Sequence, residues 1–487
     1  MTFRGWEAVK EKKEDNQNAL SVSGKEKNAI SVSRNEQNEV SVRRKERKVP
    51  AQPDYGCVPS FFWYTVFGSW IVINLARLVF GMKIRTDKKI KKMEGPLVIV
   101  GNHPSYIDPI IMGTTLYGRP INFVAGNFLF RNKVFGHIIT KGGCIPKAQY
   151  RNDMRTVRAM FKVLSRGGVL GIFPEATRMV DGHSITFDSG LASLVKKAGA
   201  GIAVLRTHGA YMTWPRWSSN SWRRGRITAE YVQVIPKEKI AEMSVEEIHQ
   251  EMLKVMDYNE YDFYREHPQV FRSKAIAAGV ENVACICPSC EGKDSDPSTG
   301  LITMTSNGHE LFCKNCGNHV IMDKFGFFHP AGNEDRCFPD LHQWNEWEKT
   351  VYAKEISTPG YILSEKVKLY QPLGEYDYAE TGYGTMTIRD GIITFKGMAC
   401  KPEEGIMYKK GKPVRKHRNR DISKAALPVE KTFVIKNMKG FIYDYGLYLE
   451  LFEPGGQVDR FYPENHQRIH EICGIIEAMK GKKTEDG

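Results

Sequence analysis

The stretch Pro96-Leu97-Val98-Ile99-Val100 carries no charge, and Gly101-Asn102-His103-Pro104-Ser105-Tyr106-Ile107-Asp108 follows it directly. A short apolar run bounded in this way reads as a strand buried on both faces. Gly168-Val169-Leu170-Gly171-Ile172-Phe173 and Gly201-Ile202-Ala203-Val204-Leu205 have the same character. Between the first two runs, Met154, Val157, Met160, Phe161 and Leu164 fall at helical spacing. Strands alternating with helices predict an α/β layer domain over residues 86–275. The polar motif after Val100 then lies at the carboxyl end of a core strand, where open α/β sheets place their sites. A second polar motif, Phe173-Pro174-Glu175-Ala176-Thr177-Arg178, ends another strand. Two such motifs at two strand ends predict one cleft.

The two motifs together resemble the glycerolipid acyltransferase family, that is, the 1-acyl-glycerol-3-phosphate acyltransferases and related lysophospholipid acyltransferases. Asn102, His103, Ser105 and Asp108 match the family's N-H-x-S-x-x-D block residue for residue. The second motif matches F-P-E-G-T-R except that Ala176 replaces glycine. Gly143-Cys144-Ile145-Pro146-Lys147, with the basic stretch to Arg151, is a looser match to a middle block that carries a phosphate contact. Ala203-Val204-Leu205 stands where the family has Val-Pro-Val, without its proline. The resemblance covers residues 55–235. It implies a layered sheet with helices and an acyl donor that is either acyl-CoA or acyl-carrier protein.

Acyl transfer to a glycerol hydroxyl needs a base for that hydroxyl. Neutral imidazole has a suitable pKa, and a carboxylate can orient it and stabilise its protonated form. His103 is therefore the expected base and Asp108 the orienting group. Arg178 can fork onto phosphate oxygens, with Lys147 or Arg151 as a second cation. Glu175 is expected to hydrogen-bond a glycerol hydroxyl or to position Arg178. Amides near Gly101 or after Pro104 are candidates for the oxyanion site. Three blander roles stay open: Asp108 as a cap of the helix that Pro109 begins, His103 as a satisfied structural histidine, and Arg178 as an ordinary ion-pair partner of Glu175.

Outward from this domain, residues 1–50 form a polar arm. Its ten-residue repeat begins at Asn18, Asn28 and Asn38 and offers too few apolar side chains to bury, so disorder is expected. Residues 51–85 hold an uncharged run from Val58 to Ala76, with Trp63, Tyr64 and Trp70 suited to a membrane interface. Basic residues flank it on both sides, from Arg43 to Lys48 and from Arg77 to Lys92. That pattern favours monotopic attachment to an anionic cytoplasmic face, with a true span and a buried core helix left open.

The whole chain has 487 residues, 70 basic and 56 acidic, for a net charge of +14, which calls for an anionic partner. Ten cysteines are too few for a disulfide scaffold, so a reducing compartment is the default. Cys287, Cys290, Cys313 and Cys316 form C-x2-C twice within residues 281–330. A strand, an Asn307-Gly308 turn and a second strand bring the pairs together, which resembles a zinc ribbon. A structural zinc is expected, with a single iron or free thiols as other uses; Cys285 and His309 are left out of the ligand set. Residues 350–487 read as short strands and turns, with a hairpin at Asp390-Gly391 and a final amphipathic helix. On topology alone this module resembles pleckstrin-homology-like barrels.

The function expected from these features is transfer of a fatty acyl group to lysophosphatidic acid at a membrane surface. Another lysophospholipid acceptor stays open, as does a non-enzymatic scaffold or nucleic-acid-binding role for the zinc ribbon. The membrane segment and the His-Asp motif argue against nucleic acid as a partner.

Overall fold

Val98, Ile99 and Val100 are fully buried, which requires cover on both faces of their sheet. They belong to β1 (Leu97–Gly101), which joins β2 (Asn122–Gly126), β3 (Ile145–Lys147), β4 (Val169–Ile172), β5 (Gly201–His208) and β6 (Thr228–Ile235). The order across the sheet is β3-β2-β4-β1-β5-β6. Neighbours pair in parallel except β6, which runs antiparallel to β5. Side chains alternate across β1. Val98 and Val100 pack under α2 (Met154–Ser165), α3 (Gly190–Ala198) and α4 (Val245–Met256), through Val163, Val195, Ile248 and Met252. Leu97 and Ile99 face the other way, against Met112 of α1 (Asp108–Thr115). Helix starts follow local chemistry: Asp153 caps α2, and Ser244 with Glu247 forms a capping box on α4.

These features come from a computed structural model that describes residues 55–148, 153–218, 222–293, 300–374, 377–409, 412–417, 419–453 and 457–481. The repeat-bearing arm lies outside the described residues, and so does Arg151. Residues 53–487 make one compact unit.

Phe61–Phe80 forms one continuous helix, π-wound to Ile73 and α-helical from Asn74. It is long and apolar enough to cross a membrane. Ile73 and Ala76 are buried, and Ala76 packs with Ile107 and Ile111. Phe61, Phe62, Trp70, Ile71, Leu75 and Leu78 are exposed on its outer side.

After the α/β sheet comes a small antiparallel sheet of β7 (Met304–Ser306), β8 (Glu310–Cys313), β9 (His319–Met322) and β10 (Phe328–Pro330), in the order β10-β9-β8-β7. The next element was not expected: a fifteen-residue helix, α5 (Leu341–Glu355), capped by Asp340. Its apolar residues are interleaved with Asn345 and Glu348, both buried, which blurs the helical stripe. Then follow β11 (Leu363–Leu373), β12 (Asp377–Arg389), β13 (Ile392–Ala399), β14 (Leu427–Val434), β15 (Ile442–Asp444), β16 (Tyr448–Phe452), β17 (Val458–Pro463) and α6 (Ile469–Gly481). The sheet runs β14-β13-β12-β11-β17-β16-β15, antiparallel throughout. Two of its strands are long, eleven and thirteen residues, where short strands were expected.

Two hydrophobic cores cross the expected module boundaries. One joins Met179, Tyr211 and Trp217 to Cys287, Met304, Val320 and Trp344. The other joins Cys285, Ile286 and Ile302 to Tyr352, Phe395, Phe461 and Ile472.

The strand ends that concern the site are level. Val100 pairs with Ile172 of β4 and with Val204 of β5. Beyond β1, Asn102 extends the ladder with its side chain: its Nδ2 donates to the Thr207 carbonyl at 3.1 Å, and the Thr207 amide donates to its Oδ1 at 2.9 Å. After β4 the chain turns sharply, and the Thr177 amide donates to the Glu175 carbonyl at 2.7 Å. Ala176 sits in this turn with φ 59°, the left-handed backbone that glycine adopts freely. Alanine therefore holds this turn at some strain. That backbone costs a non-glycine residue about 1–2 kcal/mol, and glycine returns about 0.4–1 kcal/mol of it as unfolded-chain entropy. Ala176→Gly is therefore expected to stabilise the fold by up to about 1.6 kcal/mol, read as a higher denaturant midpoint with an unchanged slope.

Candidate active site

His103 and Asp108 meet across the tight turn that leaves β1. Nδ1 of His103 lies 2.7 Å from Oδ2 of Asp108, and the Ser105 amide donates to the same oxygen at 2.8 Å. Asp108 is the first residue of α1, yet its Oδ2 accepts the Ser105 amide and its Oδ1 has no hydrogen-bond partner among the described residues. The carboxylate turns back instead toward the imidazole, contrary to a pure capping role. Phe173, the residue after β4, stacks on the imidazole with ring centres 4.6 Å apart.

Glu175 is buried, and both its oxygens are taken by backbone. Oε1 accepts the His103 amide at 3.1 Å and Oε2 the Ile185 amide at 3.2 Å. Burial pushes its pKa up to about 8, against the pull of those two amides. This corrects two expectations. Glu175 bonds to the backbone that carries His103, not to Arg178, and no Glu175–Arg178 ion pair forms among the described residues. Two of the amides near the oxyanion candidates are engaged, His103 N on Glu175 and Ser105 N on Asp108.

Arg178 lies with its guanidinium carbon 3.6 Å from the centre of the Tyr106 ring, a cation–π contact. Its Nε is buried and has no hydrogen-bond partner among the described residues. A second cation stands nearby among the described residues, but it is not Lys147. Lys147 ends the edge strand β3, with β2 and β4 between it and β1, and its charge acts on Asp153. The second cation is Arg216, which is buried. Its Nη1 donates to Thr177 Oγ1 at 2.7 Å, and its Nη2 donates to the Tyr443 carbonyl. The rings of Tyr443 and Tyr445 flank it at 4.4 and 5.3 Å. Beside them Asp444 acts electrostatically on both arginines. β15 and the turn after it thus reach the cleft of the α/β domain. No motif marked Arg216, because Trp214-Pro215-Arg216-Trp217 reads as an apolar loop and its partners are distant in sequence.

Burial holds His103 well below the usual histidine range, and the charges of Arg178 and Arg216 push the same way. Burial also raises Asp108, while the Ser105 amide and Arg178 oppose it. Oδ2 faces two nitrogen groups, an arrangement suited to an anionic oxygen, so we assign the shared proton to His103 Nδ1. The ring is then neutral near pH 7, and Nε2 carries the lone pair.

The four knuckle cysteines also come together. Cys287 Sγ lies 3.6 Å from Cys316 Sγ and Cys290 Sγ 3.7 Å from Cys313 Sγ, with all four within 4.8 Å of one another. A tetrahedral zinc with Zn–S bonds near 2.3 Å needs sulfur–sulfur edges of about 3.8 Å. The amides of Ser289, Asn315 and Cys316 point at these sulfurs, as they would at thiolates. The donor set fits one zinc, with no position left open.

Residues 81–206 match the model of the Acyltransferase family. The 1-acyl-sn-glycerol-3-phosphate acyltransferase of Chlamydomonas reinhardtii is 26% identical over 149 residues, 30% of this chain and 44% of that protein. That of Bacillus subtilis is 28% identical over 98 residues, 20% of this chain and 49% of its own. The chain thus spans less than half the length of these relatives. A solved 1-acyl-sn-glycerophosphate (LPA) acyltransferase from Thermotoga maritima aligns with 43% of this chain and 80% of its own, at 17% identity and a TM-score of 0.35. His103, Asp108, Glu175 and Arg178 all fall inside the matched segment, and the chain carries an acyltransferase domain.

Proposed function

We propose that this protein transfers a fatty acyl group from acyl-CoA or acyl-carrier protein to lysophosphatidic acid, giving phosphatidic acid. The observation that carries the reading is the 2.7 Å His103–Asp108 contact beside an arginine with an unpartnered buried nitrogen. Nε2 of His103 takes the proton of the acceptor hydroxyl while its oxygen attacks the thioester carbonyl. The tetrahedral intermediate collapses with loss of the thiolate, which takes that proton from the imidazolium. Asp108 stabilises the imidazolium between the two transfers. Glu175 fixes the backbone of His103. Arg178 binds the acceptor phosphate, and Arg216 adds positive field. A different lysophospholipid head group would use the same chemistry.

Three further readings accompany this one. The helix Phe61–Phe80 lies in one leaflet, its outer side in lipid and its inner side on the α/β domain. The four cysteines hold one structural zinc. The C-terminal sheet is pleckstrin-homology-like, a reading supported by a meander of four strands, a three-strand return and a closing helix.

His103→Ala is expected to fold and to lose about a hundredfold to ten-thousandfold in turnover, assayed with lysophosphatidic acid and each donor. Asp108→Asn should show a large loss as well. Near-normal turnover of folded His103→Ala would refute the mechanism. Because burial, with two cations pushing the same way, depresses His103, its base form persists below the ordinary histidine pKa, so the acid limb of kcat/KM should lie below about pH 6.5. Removing one cation favours the imidazolium, so Arg216→Gln should move that limb upward. An unmoved limb would mean that Arg216 does not act on His103. Protease sites engineered at residues 45 and 89 should be cut from the same side of sealed membranes, whereas a spanning helix would separate them. Finally, Cys290→Ser should lower zinc content by about one per chain, measured by mass spectrometry on protein purified without chelator.

A further inference from the structure

Cys285 precedes the first cysteine knuckle and belongs to neither C-x2-C pair. It is fully buried, and the structure brings it against two residues far along the chain, Glu348 of α5 and His470 of α6. Glu348 is fully buried and His470 is 6% exposed. Glu348 is fixed by one oxygen, because Oε1 accepts the amides of Cys285 at 2.7 Å and Ile286 at 2.8 Å. That leaves Oε2 pointing at the other two residues, 3.6 Å from Cys285 Sγ and 3.2 Å from His470 Nε2.

We propose that Cys285, Glu348 and His470 form a second zinc site, distinct from the four-cysteine cluster and buried where the cysteine module meets α5 and α6. Three observations support it. The first is edge length. Zinc bonds of about 2.3 Å to sulfur and 2.0–2.1 Å to oxygen and nitrogen give tetrahedral edges of about 3.5 Å for S–O and 3.3 Å for N–O. The two measured edges lie within about 0.1 Å of these values, and the three donor atoms all lie within 4.8 Å of one another. Tyr352 Oη, 3.5 Å from the same sulfur, borders the fourth position.

The second observation is His470. Neither ring nitrogen has a hydrogen-bond partner among the described residues, although the ring is almost wholly buried. Nε2 is near Glu348 Oε2 but not in hydrogen-bond geometry, as suits two donors that share an ion. Buried imidazoles normally satisfy at least one nitrogen. The third is charge. A thiol and a carboxylate crowd together in a buried core. The neighbouring Arg468 is committed to Glu365 and Glu471. A divalent cation supplies the missing positive charge, and a mixed sulfur, nitrogen and oxygen set suits zinc. The site would clamp three segments that are distant in sequence.

The test uses the full chain, purified without chelator, loaded with zinc and dialysed. Wild type should hold about two zinc ions per chain, His470→Gln about one, and Cys290→Ser about one. If wild type holds one, lost in Cys290→Ser and kept in His470→Gln, the second site is overturned and the ribbon stands. If that one is lost only in His470→Gln, the site proposed here stands and the ribbon fails. No zinc in wild type overturns both. Zinc X-ray absorption of wild type decides the matter should the variants fail to fold. A shell with nitrogen or oxygen scatterers near 2.0 Å beside sulfur supports the site, and a sulfur-only shell overturns it.

Discussion

Val100 stands level with Ile172 across the parallel β1–β4 ladder, so the two chains leave the sheet at one height and their polar motifs meet. His103 and Glu175 each lie three residues beyond that pair, and the Glu175 carboxylate accepts the His103 amide. The histidine backbone is thus held from the side by a neighbouring strand, and its ring by Asp108 from the same turn. Asn102 adds a third restraint by pairing with Thr207 of β5. A base must be held within fractions of an ångström to act repeatedly. Here that precision comes from strand register and from buried side chains that bond to backbone.

The same burial that fixes the pair sets its protonation. Glu175, Asp108 and His103 sit together beside two arginines, and the balance of desolvation and charge favours the neutral imidazole. Arg216 matters because it belongs to both halves of the protein. It bonds to Thr177 beside the strand-end motif and to Tyr443 of the C-terminal sheet. The electrostatics at His103 therefore depend on the docking of a distant module.

Packing links the modules as well. Trp217 and Met179 share a core with Cys287 and Trp344, and Cys285 shares another with Phe461 and Ile472. Each core contains large side chains, and burial of one such side chain stabilises by about 1.5–3 kcal/mol. The cysteine module is wedged between two larger bodies and contributes side chains to both. Alternation and turn chemistry revealed its own hairpin, but they contain no information about what covers its outer faces.

Much of the α/β domain was legible from local pattern. Three uncharged runs became β1, β4 and β5, and the period of Met154 to Ser165 became α2 with those limits, because strand and helix periodicity are short-range properties. The proximity of the two polar motifs followed from strand-end placement. The sequence by itself also determined which residue types could do acid–base, phosphate-binding and metal chemistry. Only the tertiary structure decided how they are used. It turned Glu175 onto the His103 amide, left Lys147 at the sheet edge and brought in Arg216 from a loop with no motif. It also gathered Cys285, Glu348 and His470 from three separate segments. Those outcomes depend on strand order and on which surfaces pack together. Both are long-range consequences of burying apolar area, and no local window of residues contains them.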